Sequence, residues 1–579
     1  MIRKLAPYIG QYKKYLLVIP ILVFLDVLAE LSIPLLMARV VDVGIPTRDI
    51  GFIIRIGLYM ILLALVAMGF GILNMRYSSI TSMGFGANLR DGLFAQVQSF
   101  SFNNIDRFST ASLITRLTND VNNIQLTFLM MLRILLRAPL MLIIAFILAY
   151  SINSELAIVL AFAIPLLTVG VALIMKTAVA RFSIMQHKID LINNTLQENL
   201  IGMRVVKSFV RQDFEIAKFK KSNDELTNAG IRAVTIVILN MPIMMLVMNG
   251  ATLAVIWLGG QMVYAGTLGT GELVSFISYI MQILMSVMML SMIVVMSARA
   301  QASGKRLLEV LETELDILDR PQTTSPATQA GKVEFCDVDF KYDLSGSGEN
   351  VLSGISFTAQ PGQVVGIVGG TGTGKTTLVN LIPRLYDVTA GAVLVDGVDV
   401  RDYPLETLRS QIGVVLQQNT LFSGTIRENL LWGKQDASQD ELDTVCRDAQ
   451  AHEFITAFPD GYETLLGQGG VNLSGGQKQR LSIARAMLKK PSILILDDST
   501  SSVDSTTESK IRQSFYQNLA ATTIFIIAQR ISSVRAADQI IVIDDGKIAG
   551  IGDHTGLLAS NSIYQEINAS QQEGVLAHG

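Results

Sequence analysis

Cysteine and histidine are both scarce in this chain, with two of the first and four of the second among 579 residues. Cys336 and Cys446 fall in the polar half with no CxxC or Cys/His spacing, which argues against a metal cluster and against a disulfide framework. Both read as free thiols of a reducing cytosol. His187, His452, His554 and His578 form no cluster and read as surface or satisfied residues. Charge is sparse too. Only 16% of residues are charged and the formal net charge is -3, so there is no whole-chain case for nucleic acid, and no basic block with interleaved aromatics makes one locally. The N-terminus, MIRKLAPYIGQYKKY, has no small-residue cleavage site, and the apolar run behind it is too long for a signal-peptide core. It reads as a cytoplasmic lead-in to a retained membrane helix.

What the chain has in excess is apolar residues, at 50% of the total. It is too apolar for a purely soluble enzyme and too long for one domain, so part membrane and part soluble is expected. Stretches of about 20 apolar residues, enough to cross a bilayer, occur at 15–38, 56–75, 138–152, 156–175, 233–263 and 273–297. The third is short unless 128–137 is included. Loops 151–155 and 264–272 hold no Lys or Arg, whereas 76–116 and 176–232 are studded with them, Arg90, Arg107, Arg181, Lys207 and Lys218 included. The positive-inside rule therefore places both long connections and both termini in the cytoplasm, and a multi-pass protein of the cell's inner (plasma) membrane is expected. Those connections keep helical periodicity, so spans two to five are predicted to run about 35 to 40 Å past the membrane at 1.5 Å per residue. Turning points are expected at 102–110 and 202–210.

The predicted charged helix at 304–319 leads into a Pro/Ser/Thr-rich stretch, 320–331, which reads as a linker. The expected organisation is thus a transmembrane domain at 1–319, the linker, and an α/β domain at 332–579.

Residues 367–377 read IVGGTGTGKTT and spell out a phosphate cradle. Gly369, Gly374, Lys375 and Thr376 fit G-x-x-x-x-G-K-[ST], in which backbone N–H groups wrap phosphate oxygens while the lysine and hydroxyl serve phosphate and Mg²⁺. Thr371, Gly372 and Thr377 complete the loop. A strand is predicted at 363–368 and a helix at 375–386, so the phosphates would lie at a helix N-terminus. A second buried strand, 492–498 (SILILDD), ends in two acids. In a P-loop fold Asp497 is placed to hold Mg²⁺ through water, and Asp498 stands where a base polarises the attacking water.

Between them lies NLSGGQKQR at 472–480, and Leu473, Ser474, Gly475, Gly476 and Gln477 resemble the signature of the ATP-binding cassette (ABC) transporters. The resemblance covers nearly the whole length. It implies a type IV exporter architecture, six long transmembrane helices fused to an α/β P-loop nucleotide-binding domain, with ATP and Mg²⁺ as cofactors. The signature would cap ATP held by an opposite domain, so a working site needs two domains head to tail. Tyr342 is similar to the family's adenine-stacking aromatic, and Gln417 to the glutamine that touches Mg²⁺ and senses the membrane domain. Residues 501–504 (SSVD) resemble the loop that crosses the dimer interface. The two turning points resemble coupling helices, which dock beside that glutamine.

Three departures from the family pattern concern hydrolysis. Asp498 stands where a glutamate is usual, and one methylene less takes the carboxylate out of the 2.6 to 3.2 Å reach that general-base catalysis needs, by about that bond's length. Gln529 takes the place of the switch histidine, and Gln468 that of a glutamate just before the signature. The binding parts are intact. The pattern resembles the degenerate half of a heterodimeric bacterial multidrug exporter, an ATPase with weak hydrolysis at its own site whose partner supplies the competent glutamate.

In the membrane half, Asp26 and Glu30 share one helix face at i, i+4 and are read as a cavity wall favouring cationic amphiphiles or, equally, as helix packing. Asn240, Asn249 and Gln282 read as interhelical hydrogen bonds. Met241, Met244, Met245, Met248, Met281, Met285, Met288, Met289, Met292 and Met296 suit either lipid-facing filler or a surface that re-packs around varied hydrophobic cargo. The expected function is ATP-driven export of hydrophobic or amphipathic compounds. A lipid or peptide exporter, or an ATP-gated regulatory subunit without uphill transport, is the alternative.

Overall fold

The computed structural model describes residues 1–320, 324, 330–342, 349–499 and 503–576. It divides into two compact units, Met1–Gln98 with Ser109–Thr313, and Ser99–Phe108 with Glu314–Gly579. The principal helices of the N-terminal half are α1 (Tyr15–Arg39), α2 (Ile50–Gln98), α3 (Phe102–Asp106), α4 (Thr110–Ile152), α5 (Ser154–Ile201), α6 (Met203–Ser208), α7 (Gln212–Tyr264) and α8 (Thr270–Leu311).

In the first unit, six helices among the described residues are long and apolar enough to cross a membrane. The third span is whole, because α4 runs on through 128–137. At 49 and 48 residues, α2 and α5 extend far beyond a bilayer, about 70 Å each at 1.5 Å per residue. Their sequences are apolar with few breakers, and polar residues mark the ends. Asn153 accepts from the N–H groups of Glu155 and Leu156 to cap α5, while Asp42, outside α8, accepts from Gly271 N–H at 2.6 Å and Glu272 N–H at 3.0 Å. Those bonds satisfy donors that a helix start leaves open. Ile19, Val23, Val27 and Leu31, spaced by four on α1, are buried in one cluster with Phe276, Tyr279 and Ile283 of α8. Opposite faces stay apolar yet exposed, as at Leu58, Ile61, Leu62 and Leu65 of α2. Apolar residues all round a helix suit a lipid surround.

The helix expected to continue to residue 319 stops at Leu311. Two of the acids beyond that point are used within the second unit. The Asp316 carboxylate accepts from Ser101 and, at 2.7 Å, from Asn103, and Asp319 accepts from Leu405 N–H at 2.9 Å.

The second unit holds strands β1 (Val333–Phe340), β2 (Leu352–Ala359), β3 (Val364–Gly369), β4 (Ala390–Val395), β5 (Val398–Asp399), β6 (Ile412–Val415), β7 (Gly424–Thr425), β8 (Leu465–Leu466), β9 (Ile493–Asp497), β10 (Thr523–Ile527), β11 (Gln539–Asp544) and β12 (Lys547–Gly552). One sheet has the order β2-β1-β4-β5 and pairs antiparallel. The larger has the order β12-β11-β3-β10-β9-β6 and is parallel apart from β12. Its helices include α9 (Lys375–Asn380), α10 (Gly475–Leu488), α11 (Ser505–Asn518), α12 (Ile531–Val534) and α13 (Ser562–Leu576). Here α9 is shorter than the predicted 375–386. The chain turns at 381–384, where Arg384 takes a positive φ of 50° and its buried guanidinium bonds the Asp387 carboxylate at 2.8 Å.

The same unit includes α3, the first turning point. Ser101 caps it by accepting from Asn104 N–H, and Asp106 accepts from the Tyr386 hydroxyl at 2.8 Å beside a Phe102–Tyr386 ring contact. The second turning point, α6, belongs to the first unit, with Ile201, Val205, Phe209 and Val210 exposed around it.

Candidate nucleotide-binding site

Strand register assembles the site. β10 lies between β3 and β9, and Ile527 pairs with Ile367 on one side and Asp497 on the other. β9 and β10 therefore end level and β3 runs two residues further, and the segments leaving them emerge at one edge, where ligands of open parallel sheets sit. That edge receives the 369–377 loop from β3, the two acids from β9 and Gln529 from β10. β6 joins it, since Val415 pairs with Leu496, and Gln417 stands two residues beyond Val415, exposed.

The loop is built on glycines for steric reasons. Gly374 has φ +93°, and a Cβ there would lie 2.8 Å from Leu352 Cδ2; at Gly369 a Cβ would lie 2.1 Å from Ile543 O. No L side chain fits either place without displacing its neighbours. Thr371 and Gly372 form the exposed tip, and Lys375 opens α9. The Lys375 ammonium donates to Gly369 O at 3.0 Å and Gly370 O at 2.5 Å, so its charge is folded back on the loop that phosphate would fill. Burial lowers its pKa, with the Asp497 and Asp498 carboxylates opposing.

Thr376 donates its hydroxyl to Asp497 Oδ1 at 3.1 Å. Asp497 is buried, and desolvation raises its pKa despite that bond. A hydroxyl and a carboxylate side by side, with an amide oxygen available at Gln417, are the hard oxygen donors that Mg²⁺ takes, and a buried acid short of positive charge is what the ion would relieve. The donor set fits.

Asp498 sits in left-handed backbone, φ +46°, with its N–H donated to Ile527 O at 3.0 Å. Its Oδ2 accepts from Gln529 Nε2 at 3.1 Å. Burial raises this carboxyl as well, against the pull of Lys375 and Arg530. The two residues expected from the sequence to depart from the family pattern, Asp498 and Gln529, are therefore partners.

Tyr342 lies just beyond β1, is 42% exposed and sets its hydroxyl 2.7 Å from the Thr377 hydroxyl. It meets Phe340 and Tyr386 edge-on. Its ring thus stands against the start of α9 with accessible surface, a geometry suited to a flat base.

Ser474 is the N-cap of α10: its Oγ accepts from Gln477 N–H at 3.3 Å, and Gln477 Oε1 accepts from Ser474 N–H at 2.8 Å. That capping box locks the helix start while Ser474 and Gly475 stay exposed and Gly476 and Gln477 half-buried. An exposed N-terminus on a 14-residue helix favours an anion. Gln468 opens a short 3₁₀ turn at Gln468–Gly470 before it. Of the 501–504 loop, Ser501 and Ser502 lie outside the described residues; Asp504 caps α11 by accepting from Thr507 N–H at 2.9 Å, which lowers its pKa.

In the first unit, Asp26 and Glu30 both accept hydrogen bonds from Arg137 of α4, one on each terminal guanidinium nitrogen. Sequence reasoning misses this arginine, at the edge of the third apolar stretch, as their counter-ion; the signal available is a lone cation at membrane depth. Among the methionines, Met244 is buried whereas Met241, Met245, Met281 and Met285 are exposed; the side chains of Met292 and Met296 lie outside the described residues. Asn240 bonds Met244 Sδ at 3.5 Å, and the buried side-chain oxygens of Asn240 and Gln282 have no hydrogen-bond partner among the described residues.

Two family models match, the ABC transporter transmembrane region over residues 16–287 and the ABC transporter domain over 352–501. The chain is 40% identical to the "Uncharacterized ABC transporter ATP-binding protein YfiB" of Bacillus subtilis, over 95% of each chain. It is 35% identical to an ATP-dependent lipid A-core flippase of Syntrophus aciditrophicus, covering 84% of this chain and 80% of the relative. It is 33% identical to the "Putative multidrug export ATP-binding/permease protein YgaD" of Bacillus subtilis over 98% of each. In fold it is similar to a solved bacterial Atm1-family ABC exporter with ATP bound, with TM-score 0.81 and 24% identity over 96% of this chain and 99% of that one. An ATP-binding α/β unit with a P-loop and signature, on the same chain as six membrane-length helices, makes this protein a member of the ABC transporter family, an exporter half-transporter.

Proposed function

We propose that this chain is the half of a two-chain exporter that grips ATP and cuts it slowly. The observation that carries the reading is the Gln529–Asp498 hydrogen bond. The side chain that would act as base is one methylene short and is tied to an amide, a poor switch beside an imidazole. The gripping parts around it are complete: Tyr342 for the base, the 369–377 loop and Lys375 for phosphates, and Thr376, Gln417 and Asp497 for Mg²⁺. When bound, that ion would neutralise charge on the phosphate oxygens.

In this reading Ser474 to Gln477 present their helix N-terminus to ATP held by a second, different half-transporter, whose own glutamate does most of the hydrolysis. Closure of the two nucleotide domains would be carried to the spans through α3 and α6, the exposed apolar side chains around α6 being the docking face. Both termini and the nucleotide domain would lie in the cytoplasm of a cell whose inner (plasma) membrane holds the spans. The cargo would be hydrophobic or amphipathic, of multidrug type. Support comes from the exposed methionines of α7 and α8 and from the name of one relative. The lipid A-core flippase among the relatives favours lipid cargo as the second reading.

Affinity purification of the tagged chain from native membranes tests the assembly. Recovery with a second half-transporter is expected; recovery alone with brisk ATP hydrolysis overturns the reading. In inside-out vesicles of that complex, ATP-driven accumulation of an amphipathic cationic dye is expected. ATP-gated leak without accumulation would instead make it a regulatory subunit, and competition by lipids or peptides would reassign the cargo.

A further inference from the structure

Gln571 lies on the C-terminal helix α13, remote in sequence from every nucleotide motif, and grips the chain on both sides of Arg530. Its Oε1 accepts from Ile531 N–H at 2.9 Å and its Nε2 donates to Gln529 O at 2.7 Å. A side-chain amide donates from one end and accepts at the other; a glutamate keeps the acceptor and loses the donor.

The helix carrying it is well anchored. Tyr564 is fully buried with its hydroxyl 2.8 Å from His554 Nδ1, its N–H is donated to Asn561, and Ile563 and Ile567 pack against the core. Tyr564, Ile567 and Gln571 fall at i, i+3 and i+7 and so share one face. The first two turns fix the helix and the third delivers the amide to the loop after β10. On the far side, α11 holds the 532–536 segment: Arg512 donates to Ser532 O at 2.7 Å, Ser533 to Glu508 at 2.6 Å, and Tyr516 to Ala536 O at 2.8 Å. Those contacts begin three residues beyond Gln529, and the bond to Gln529 O comes from Gln571.

We propose that Gln571 is a positioning residue for the hydrolytic end of the nucleotide site: by fixing the peptides at Gln529 and Ile531 it aims the Gln529 amide at Asp498. The C-terminal helix thereby sets how firmly this loop closes over nucleotide. The inference rests on the reading that ATP is held at this chain's own P-loop.

The test uses the full-length chain with its co-purifying partner and the variants Gln571→Leu and Gln571→Glu. Amide exchange at Ile531 should speed about five- to tenfold in Gln571→Leu, the effect of one lost hydrogen bond, and stay near wild type in Gln571→Glu, which keeps the acceptor. The fraction of photoactivatable 8-azido-ATP retained on this chain after washing should fall about threefold or more in both variants. Initial binding of a fluorescent ATP analogue should stay within about twofold, because the P-loop is untouched. In a Gln529→Ala background, Gln571→Leu should cause no further loss of retention, the signature of two residues acting through one another. Equal losses in both backgrounds, or Ile531 exchange indifferent to Gln571→Leu, would overturn the inference. Wild-type retention that ignores Gln571 overturns it alone. Wild-type retention no better than that of Lys375→Ala sinks the ATP-holding reading and takes this inference with it.

Discussion

The side-chain amide of Gln529 donates to the carboxylate of Asp498 across 3.1 Å, joining the two positions at which the sequence is expected to depart from the family pattern. For the slow hydrolysis proposed above, the pair is a better basis than either residue alone, since a carboxylate held by an amide is both short and occupied. Asp498→Glu together with Gln529→His should raise the ATPase rate of the assembled complex, by about 10²-fold at this site if the general base is what limits it. Steady-state ATPase measured on the double variant decides the matter, and an unchanged rate would place the limit elsewhere.

Asp497 gives a pH prediction. Burial raises its pKa, the Thr376 bond lowers it and Asp498 raises it further, with the net shift upward. The native state therefore holds this proton more tightly than the unfolded chain, whose value is about 3.9. Between that value and the raised one the native state binds more protons, so stability falls as pH rises and the loss is complete above the raised pKa. Asp497→Asn should accordingly melt a few degrees higher than wild type at pH 7.5 without nucleotide, on the scale of about 2–4 °C per kcal/mol. The gain should shrink toward pH 4, and added Mg-ATP should stabilise the variant far less than wild type. A variant that melts lower at neutral pH would mean the carboxylate is fully compensated.

Arg137 serves two acids on α1, of which Asp26 is buried. Arg137→Met removes the shared cation and should cost about 3–5 kcal/mol, the usual effect of stranding a buried charge. Size-exclusion profiles and melting of the detergent-solubilised complex report it. The triple change Asp26→Asn, Glu30→Gln, Arg137→Met should recover most of the folded yield. If that triple variant also loses uptake of cationic dyes while keeping neutral ones, the acids contribute to cargo selection; unchanged uptake leaves them with packing alone.

Gly374→Ala places a side chain at φ +93° and within 2.8 Å of Leu352. The expected result is ATP binding at least about tenfold weaker, in line with backbone strain of about 1–3 kcal/mol at the loop. The core strands do not depend on this turn, so circular dichroism should be unchanged. Normal nucleotide affinity would show that the cradle tolerates a wider loop.

Much of this site is legible in the sequence because its chemistry is local. Gly369 to Thr377, Asp497 with Asp498, and Ser474 to Gln477 are contiguous strings whose spacing states their use, and the apolar runs mark six spans. The partners are not legible, because they are set by register and packing between distant segments. Arg137 meets Asp26 and Glu30 across more than a hundred positions, and Gln571 reaches Gln529 from the last helix. The helix from Lys375 stops at Asn380 since the buried Arg384, paired with Asp387, fixes the next turn of the chain, and periodicity carries no trace of that. Likewise the acids at 316 and 319 read as a helix face, but they are spent on Ser101, Asn103 and Leu405.

Residues 99–108 belong to the compact unit of the nucleotide domain although some two hundred residues of membrane helix separate them from it in sequence. A soluble fragment cut out at residue 314 would leave behind its own lid over Tyr386, baring that ring and stranding Asp316 without Ser101 and Asn103. Such a fragment should be sticky in solution, and a short peptide spanning 99–108, fused through a flexible tether, is the natural way to render it well behaved.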